Sequence, residues 1–382
     1  HFFAKSKIDL DLEDFDDSEL NIFVEKTNKD TYLKIFDNYL INNDVKPKNK
    51  NTLSSGIDLV LNNENYSLNT GFSAYEDLNK KQNDRYQFIL PYFNFDKSLE
   101  NKLGKINLNS SGDNTLQNTN NLRTKIVNDI NFSTNELLNS KTGLTSNFNI
   151  YFKNVNTLAK EDEVYKSSPQ SELMNLIEYN TSLPLIKNTN KKTEVLIPKI
   201  SLRVNPSDMK NHSETNRKIN TSNIFSLNRL GLQDSLESGK SITFGLDYSN
   251  TNNVNNNEIN AKIATVLRDD KENTIPKKTT LDKKKSYLFG SVSYDTDDIL
   301  NIDYNFAIDE NLDEIKYHGL GINLSLNNFV TDFNFIEESG VIGSANIIEN
   351  KLKKKINENN LLTFKTRRNE EINLTEYYDL IY

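Results

Sequence analysis

The stretch Leu300-Asn-Ile-Asp-Tyr-Asn-Phe-Ala-Ile-Asp309 decides the fold class. Leu300, Ile302, Tyr304, Phe306 and Ile308 interleave with Asn301, Asp303, Asn305, Ala307 and Asp309. A strand points successive side chains to opposite faces, so one face here is apolar and the other mostly polar. The length suits the about 9–11 residues that a tilted strand needs to cross a bilayer. Roughly twenty such segments follow one another, which predicts a large antiparallel transmembrane β-barrel.

The same period runs outward in both directions. Leu320, Ile322, Leu324 and Leu326 lead into Phe329, Thr331, Phe333 and Phe335 across the turn Asn327-Asn328. Ile57, Leu59 and Leu61 meet Tyr66, Leu68, Phe72 and Ala74 across Asn62–Asn65, a hairpin signal. Further segments open with Ile8, Leu10 and Leu12, continue through Tyr86–Tyr92, Leu144–Phe152, Ile242–Tyr248 and Ile259–Thr265, and close with Leu374 to Tyr382. The polar stretches between them fall into two lengths. The long ones are Ser110–Asn120, Asn156–Ser171, Asn205–Ser222 and Asp269–Lys285. Short turns alternating with long loops fit the periplasmic and extracellular ends of an outer-membrane barrel. Pro91 and Pro198 fall inside strand-like runs, where the missing N–H predicts a bulge or a weak point.

The composition agrees with this architecture. Hydrophobic residues make up 35% and mean hydropathy is -0.67, lean for a globular core but sufficient for a barrel with a polar lumen. No apolar run approaches the ~18 residues of a transmembrane helix. The net charge of -8 carries no basic excess, which argues against nucleic acid as a partner. The 17 Tyr and 20 Phe can furnish interfacial girdles where Trp is 0.

Little in the chain points to catalysis or metal binding. With Cys 0 there is no thiolate, and His1, His212 and His318 stand apart with no ligand spacing. The acidic run Asp11, Glu13, Asp14, Asp16 and Asp17 reads as a solvated strand edge. Gly319-Leu-Gly321 lies in a strand-like run, so a dinucleotide reading fails on context. The lysine runs 283–285 and 353–355 suit either anionic headgroups or plain solubilisation, and the second reading is preferred. No catalytic residue and no cofactor are expected.

One passage is more specific. Tyr179-Asn-Thr-Ser-Leu-Pro-Leu185 is followed by Val195-Leu-Ile-Pro-Lys-Ile-Ser-Leu-Arg203 and a polar loop to Asn220. Then come Asn223-Ile-Phe-Ser-Leu-Asn-Arg-Leu-Gly-Leu-Gln-Asp234, Glu237-Ser-Gly239 and Ile242-Thr-Phe-Gly-Leu-Asp-Tyr248. This resembles the barrel domain of the LptD family, the lipopolysaccharide-assembly proteins of the Gram-negative outer membrane. Pro198, Phe225, Asn228, Arg229, Asp234, Gly239, Gly245 and Tyr248 carry the match, as structural positions. Two positions depart from the pattern: Gly231 stands one place early relative to Asp234, and Ile197 replaces an acidic residue before the proline. Weaker similarity in Tyr32–Phe36, Leu90-Pro91 and Glu376–Tyr382 extends the match along most of the chain.

The resemblance implies a translocon in the cell outer membrane that inserts lipopolysaccharide into the outer leaflet. It also implies an LptE-like lipoprotein plug, a periplasmic lipopolysaccharide-transport bridge and contact with outer-membrane lipid. On this reading residues 1–382 form a single barrel domain, truncated at both ends and so incompletely closed, and the gate between the family's first and last strands is missing. Two other classes stay open, with an enzyme of the outer-membrane phospholipase type a distant third because no His lies in a plausible catalytic grouping. One is a different outer-membrane barrel, such as a porin or receptor-type transporter. The other is a secreted β-rich adhesin, which would need a fixed repeat.

Overall fold

The structure, a computed structural model, describes residues 1–36, 45–117, 120–162, 164–296, 299–358 and 360–382. Of the expected long polar stretches, residues 118–119 and 163 lie outside the described residues. The chain is all-β: the described residues form 21 strands and only short helical pieces such as α1 (Tyr32–Ile35).

Two compact units are present. The first comprises His1–Asn135 and Ile150–Asn175; the second comprises Glu136–Asn149 and Leu176–Tyr382. The first holds β1 (Phe2–Asp9), β2 (Asp17–Lys26), β3 (Thr52–Asn63), β4 (Tyr66–Asp77), β5 (Tyr86–Asn101), β6 (Gly104–Gln117) and β7 (Asn121–Thr134). β8 (Leu137–Asn139) belongs to the second, and β9 (Leu144–Lys160) and β10 (Gln170–Ser182) each contribute to both. The second continues with β11 (Leu185–Asn188), β12 (Lys192–Asn205), β13 (Gly239–Asn252), β14 (Glu258–Arg268), β15 (Leu288–Thr296) and β16 (Leu300–Ile308). It ends with β17 (Ile315–Leu326), β18 (Phe329–Glu338), β19 (Ala345–Asn357), β20 (Asn360–Asn369) and β21 (Leu374–Ile381).

Pairing is antiparallel and mostly between chain neighbours, as in β2 with β3, β12 with β13 and β20 with β21, while the short β8 and β11 let β7 also pair with β9 and β10 with β12. The expected hairpins are present, with Leu326 opposite Phe329 and Asn63 opposite Tyr66. In the second unit the connections alternate in length: 206–238, 253–257, 269–287, then 297–299, 309–314 and 327–328. Because successive strands reverse direction, the long connections there share one end of the sheet.

Three expectations need correcting. Ser110–Asn120 is not a loop: residues 110–117 continue β6. The polar stretch Asn156–Ser171 narrows to a connection at 161–169, because β9 runs on to Lys160. Leu10 and Leu12 lie beyond the end of β1.

The two prolines behave differently. At Pro91 the register shifts between Ile89 and Tyr92, the expected bulge. It also reverses the phase, so that Phe88 pairs with Leu116 on one face while Tyr92 pairs with Asp113 on the other. The strict alternation expected over Tyr86–Tyr92 therefore fails there. Pro198 keeps a regular register opposite Leu246. On its other side β10 has ended at Ser182 and β11 has yet to begin, so the missing N–H falls beside a break in the neighbouring strand.

The two faces of the sheet invert the order of a water-soluble protein. In β12 Ile200, Leu202 and Val204 are exposed, while the intervening Ser201, Arg203 and Asn205 are buried. In β13 and β14 Phe244, Ile263 and Leu267 are exposed, while Ser241, Thr243, Ala264, Val266 and Arg268 are buried. Apolar side chains turned outward along successive strands, over buried polar ones, suit a surface that meets lipid.

Candidate functional site

The long connection 206–238 folds back over the inward face of β12–β14, and its own apolar residues hold it there. Met209, Ile219, Ile224, Leu230 and Leu232 pack with Ala264, Val266 and Phe289 of the strands and with Ile275, Leu281 and Tyr287 of connection 269–287. A segment of this length has no strand ladder for its backbone groups, so side chains and turns must supply partners. Asn228 does so by donating from Nδ2 to the Leu232 carbonyl at 3.0 Å, while the Gly231 N–H donates to the Asn228 carbonyl.

Beneath this apolar layer lies a buried charged network. Arg229 grips Glu237 through two hydrogen bonds, Nε to Oε2 and Nη2 to Oε1, each 2.6 Å. Arg229 also donates to the Thr243 hydroxyl at 2.8 Å and the Ser241 hydroxyl at 3.0 Å. Arg268 reaches the same Glu237 Oε1 and the Ser238 carbonyl. Arg203 pairs with Glu178 at 3.2 Å and donates to the Ser226 and Leu227 carbonyls. Asn205 donates to the Glu237 carbonyl at 2.8 Å. Arg229 and Arg203 are each 3% exposed and Glu178 is 1% exposed.

An isolated charge at such depth would be prohibitively costly, so the pairing is obligatory. Burial pushes the Glu237 carboxyl up, but the Arg229, Arg203 and Arg268 charges outweigh it and hold it down to about 2. The loop is therefore fastened to the sheet by a carboxylate that stays ionised at neutral pH.

The site places the motif residues as follows. Arg229 lies within the network. Gly239, at φ +82°, sits where a β-carbon would stand 2.8 Å from Arg268 Nη2. The edge of Phe225 covers Gly245, and Lys199 stands over the same ring at 5.8 Å. Asp234 pairs with His212 Nε2 at 3.1 Å and lies 3.8 Å from Lys210 Nζ. Asn228 shapes the turn. Tyr248 falls in the register of Phe244 and Leu246 on the opposite face, and Pro198 lies at the strand break, so neither joins the cluster.

Sequence reasoning missed Glu178, Arg203, Glu237 and Arg268 as members of the network. The available signal was a charge flanked by apolar residues inside a strand, as in Leu202-Arg203-Val204 and Leu267-Arg268. His212 is not isolated either, since Ser235 Oγ also lies 3.1 Å from its Nε2. Serine and aspartate thus share one ring nitrogen, whereas a nucleophile relay needs them on opposite nitrogens. The lysine run 283–285 is tied down as well, with Lys283 on Glu310 at 2.8 Å and Lys284 on Asp270 at 3.2 Å.

What this arrangement does is anchor a long connection across one face of a sheet whose other face is apolar. An apolar outer face over a polar inner one is the patterning that transmembrane β-barrel strands require. Residues 9–344 of the 382 match the family described as LptD: LPS transport system D. The chain belongs to the LptD family, a family of outer-membrane β-barrels that serves lipopolysaccharide transport and is not a family of enzymes. No curated protein matches the chain.

Proposed function

We propose that this chain is the barrel part of the translocon that inserts lipopolysaccharide into the outer leaflet of the cell outer membrane. The family match over residues 9–344 carries the reading. The exposed apolar face supports it, because strands with this patterning are stable against lipid and poorly stable in water. On this reading residues 1–382 form one barrel domain. A lipoprotein plug of the LptE kind occupies the lumen, and the periplasmic lipopolysaccharide-transport bridge delivers the cargo. The chain makes and breaks no bonds. Its contribution is a polar passage for glycan beside a lipid-facing wall for acyl chains.

The buried network serves this function by position. A loop fastened over the sheet by Arg229, Glu237 and Arg268 keeps one geometry while cargo passes. The test is depletion of the protein in its own cells, followed by surface labelling of lipopolysaccharide. Loss of surface lipopolysaccharide with accumulation on the periplasmic side is the expected result. Unchanged surface lipopolysaccharide with loss of small-solute uptake would point to a porin and overturn the reading.

A further inference from the structure

The outward, apolar face of the first unit carries a row of uncharged polar side chains halfway along its strands. Ile126 and Ile130 on β7 and Phe152 and Leu158 on β9 are exposed on this face, while Val127, Tyr151, Val155 and Thr157 point the other way and are buried. In the exposed register Ser110 Oγ of β6 donates to Asn128 Oδ1 of β7 at 2.7 Å, and Asn128 Nδ2 donates to Asn154 Oδ1 of β9 at 3.1 Å. Asn156 donates to the same Asn154 oxygen at 2.6 Å. Asn154 Nδ2 donates to Ser171 Oγ of β10 at 3.3 Å and to the Glu172 carbonyl at 3.2 Å. Four strands are thus bridged by amides and hydroxyls.

The depth of the row limits what it can meet. β6 and β7 have 14 residues each. A tilted strand crosses the bilayer in about 9–11 residues. Any such segment of β6 includes Ser110, and any such segment of β7 includes Asn128. With lipid on this face, the row lies among acyl chains and below the reach of headgroups.

Pairing along the row leaves hydrogen-bonding capacity over. A side-chain amide has two N–H donors and a carbonyl acceptor. Asn154 spends all of its own. Among the described residues, Asn128 keeps one N–H without a partner, and Asn156 keeps one N–H and its carbonyl oxygen. Hydrocarbon supplies nothing for them, and leucine at these positions would be cheaper. β6, β7 and β9 have neighbours on both sides, so no free edge is offered to an added strand. The row holds no charge to attract an ion. What fits it is a second protein surface that carries neutral donors and acceptors at the same depth. An amide is its own complement, and a two-fold axis sets a patch against its copy. Polar side chains that meet between partners inside a bilayer favour their association.

We propose that this row is the centre of a homodimer contact within the membrane. Two copies of the chain meet wall to wall, with the amides of Asn128 and Asn156 bonding to those of the second copy and Ile126, Ile130 and Phe152 packing around them. The proposal rests on the reading that the apolar face meets lipid.

The chain has Cys 0, so an introduced thiol reports alone. The full chain carrying Ile130→Cys on the patch, or Ile263→Cys on β14 outside it, is inserted into phosphatidylcholine vesicles and treated with a lipid-soluble bismaleimide. Ile130→Cys should give a covalent dimer and Ile263→Cys should not. Energy transfer between donor- and acceptor-labelled copies, followed as lipid is added, measures the association itself. Replacing Asn128→Leu, Asn154→Leu and Asn156→Leu together should lower the lipid dilution at which transfer is half lost by about tenfold. Absence of transfer at every dilution, equal cross-linking at the two positions, or unchanged association of the leucine variant overturns the dimer. Should that variant fail to insert, the cross-linking comparison, which keeps the row intact, decides alone. Protease protection of the strands reports insertion separately. An unmodified chain that fails to insert overturns the lipid-facing reading, and one that inserts but stays monomeric overturns the dimer contact alone.

Discussion

A β-carbon added to Gly245 would stand 2.6 Å from both Cε2 and Cζ of Phe225. Phe225 belongs to connection 206–238 and Gly245 to β13, so the loop is keyed into the sheet at a point where only hydrogen fits. Gly245→Ala should displace the ring and cost about 1–3 kcal/mol, as overpacking does in well-packed sites. Urea unfolding of the bilayer-inserted protein measures the cost. Adding Phe225→Leu should recover part of the loss, and a Gly245→Ala variant as stable as the parent would show that the contact is not tight.

The pair Arg229–Glu237 is bidentate and almost fully buried. Removing one member strands the other charge, which costs about 3–5 kcal/mol where buried pairs have been broken. Glu237→Gln should therefore destabilise strongly and open connection 206–238 to trypsin. Replacing Arg229 and Glu237 together with Met and Leu should cost less than the sum of the single changes, because no unpaired charge remains. Additive losses in that double-mutant cycle would show that the two residues act independently.

Acid should release the same anchor. Glu237 has a pKa of about 2 in the folded protein against an ordinary value of 4.5. A depressed carboxylate contributes fully above the higher value, and its contribution fades as pH falls through the window between the two. Protease sensitivity of connection 206–238 should rise as the pH is lowered from 4.5 toward 2. The Glu237→Gln variant should be sensitive at every pH, with that part of the pH dependence removed. A loop released well above pH 4.5 would point to a different titrating group.

Much of the fold was legible from period two alone. The hairpins at Asn327-Asn328 and Asn62–Asn65 needed only apolar alternation on both arms and a polar turn between them. β6 was not legible, because Ser110, Gly112 and Asn114 on one face match Ser111, Asp113 and Thr115 on the other in polarity, so the period vanishes. The site was half legible. Arg229 and Asp234 stood out through the family pattern. Glu178, Arg203 and Arg268 become partners only through pairing in space: Glu178 meets Arg203 across β10 and β12, and Arg268 faces Ser241 across β13 and β14.

The sharpest test of the lipid-facing register lies at two neighbours on β16. Ile302 pairs with Ile322 and Tyr294, in line with the other apolar residues of β15–β17. Asn301 pairs with Asn323 and Asp295, and it lines a polar cleft of about 350 Å³ with Asp303, Asp332 and Glu349. A lysine at position 301 would extend toward these carboxylates and their water. A lysine at 302 would face hydrocarbon, where a charge near the bilayer midplane costs about 2–4 kcal/mol. Ile302→Lys should therefore lower both the yield of heat-modifiable, protease-resistant protein and its stability to urea. Asn301→Lys should leave both close to the parent. Equal losses in the two variants would mean that the faces of β16 are not divided between lipid and lumen, and the barrel reading would fail with them.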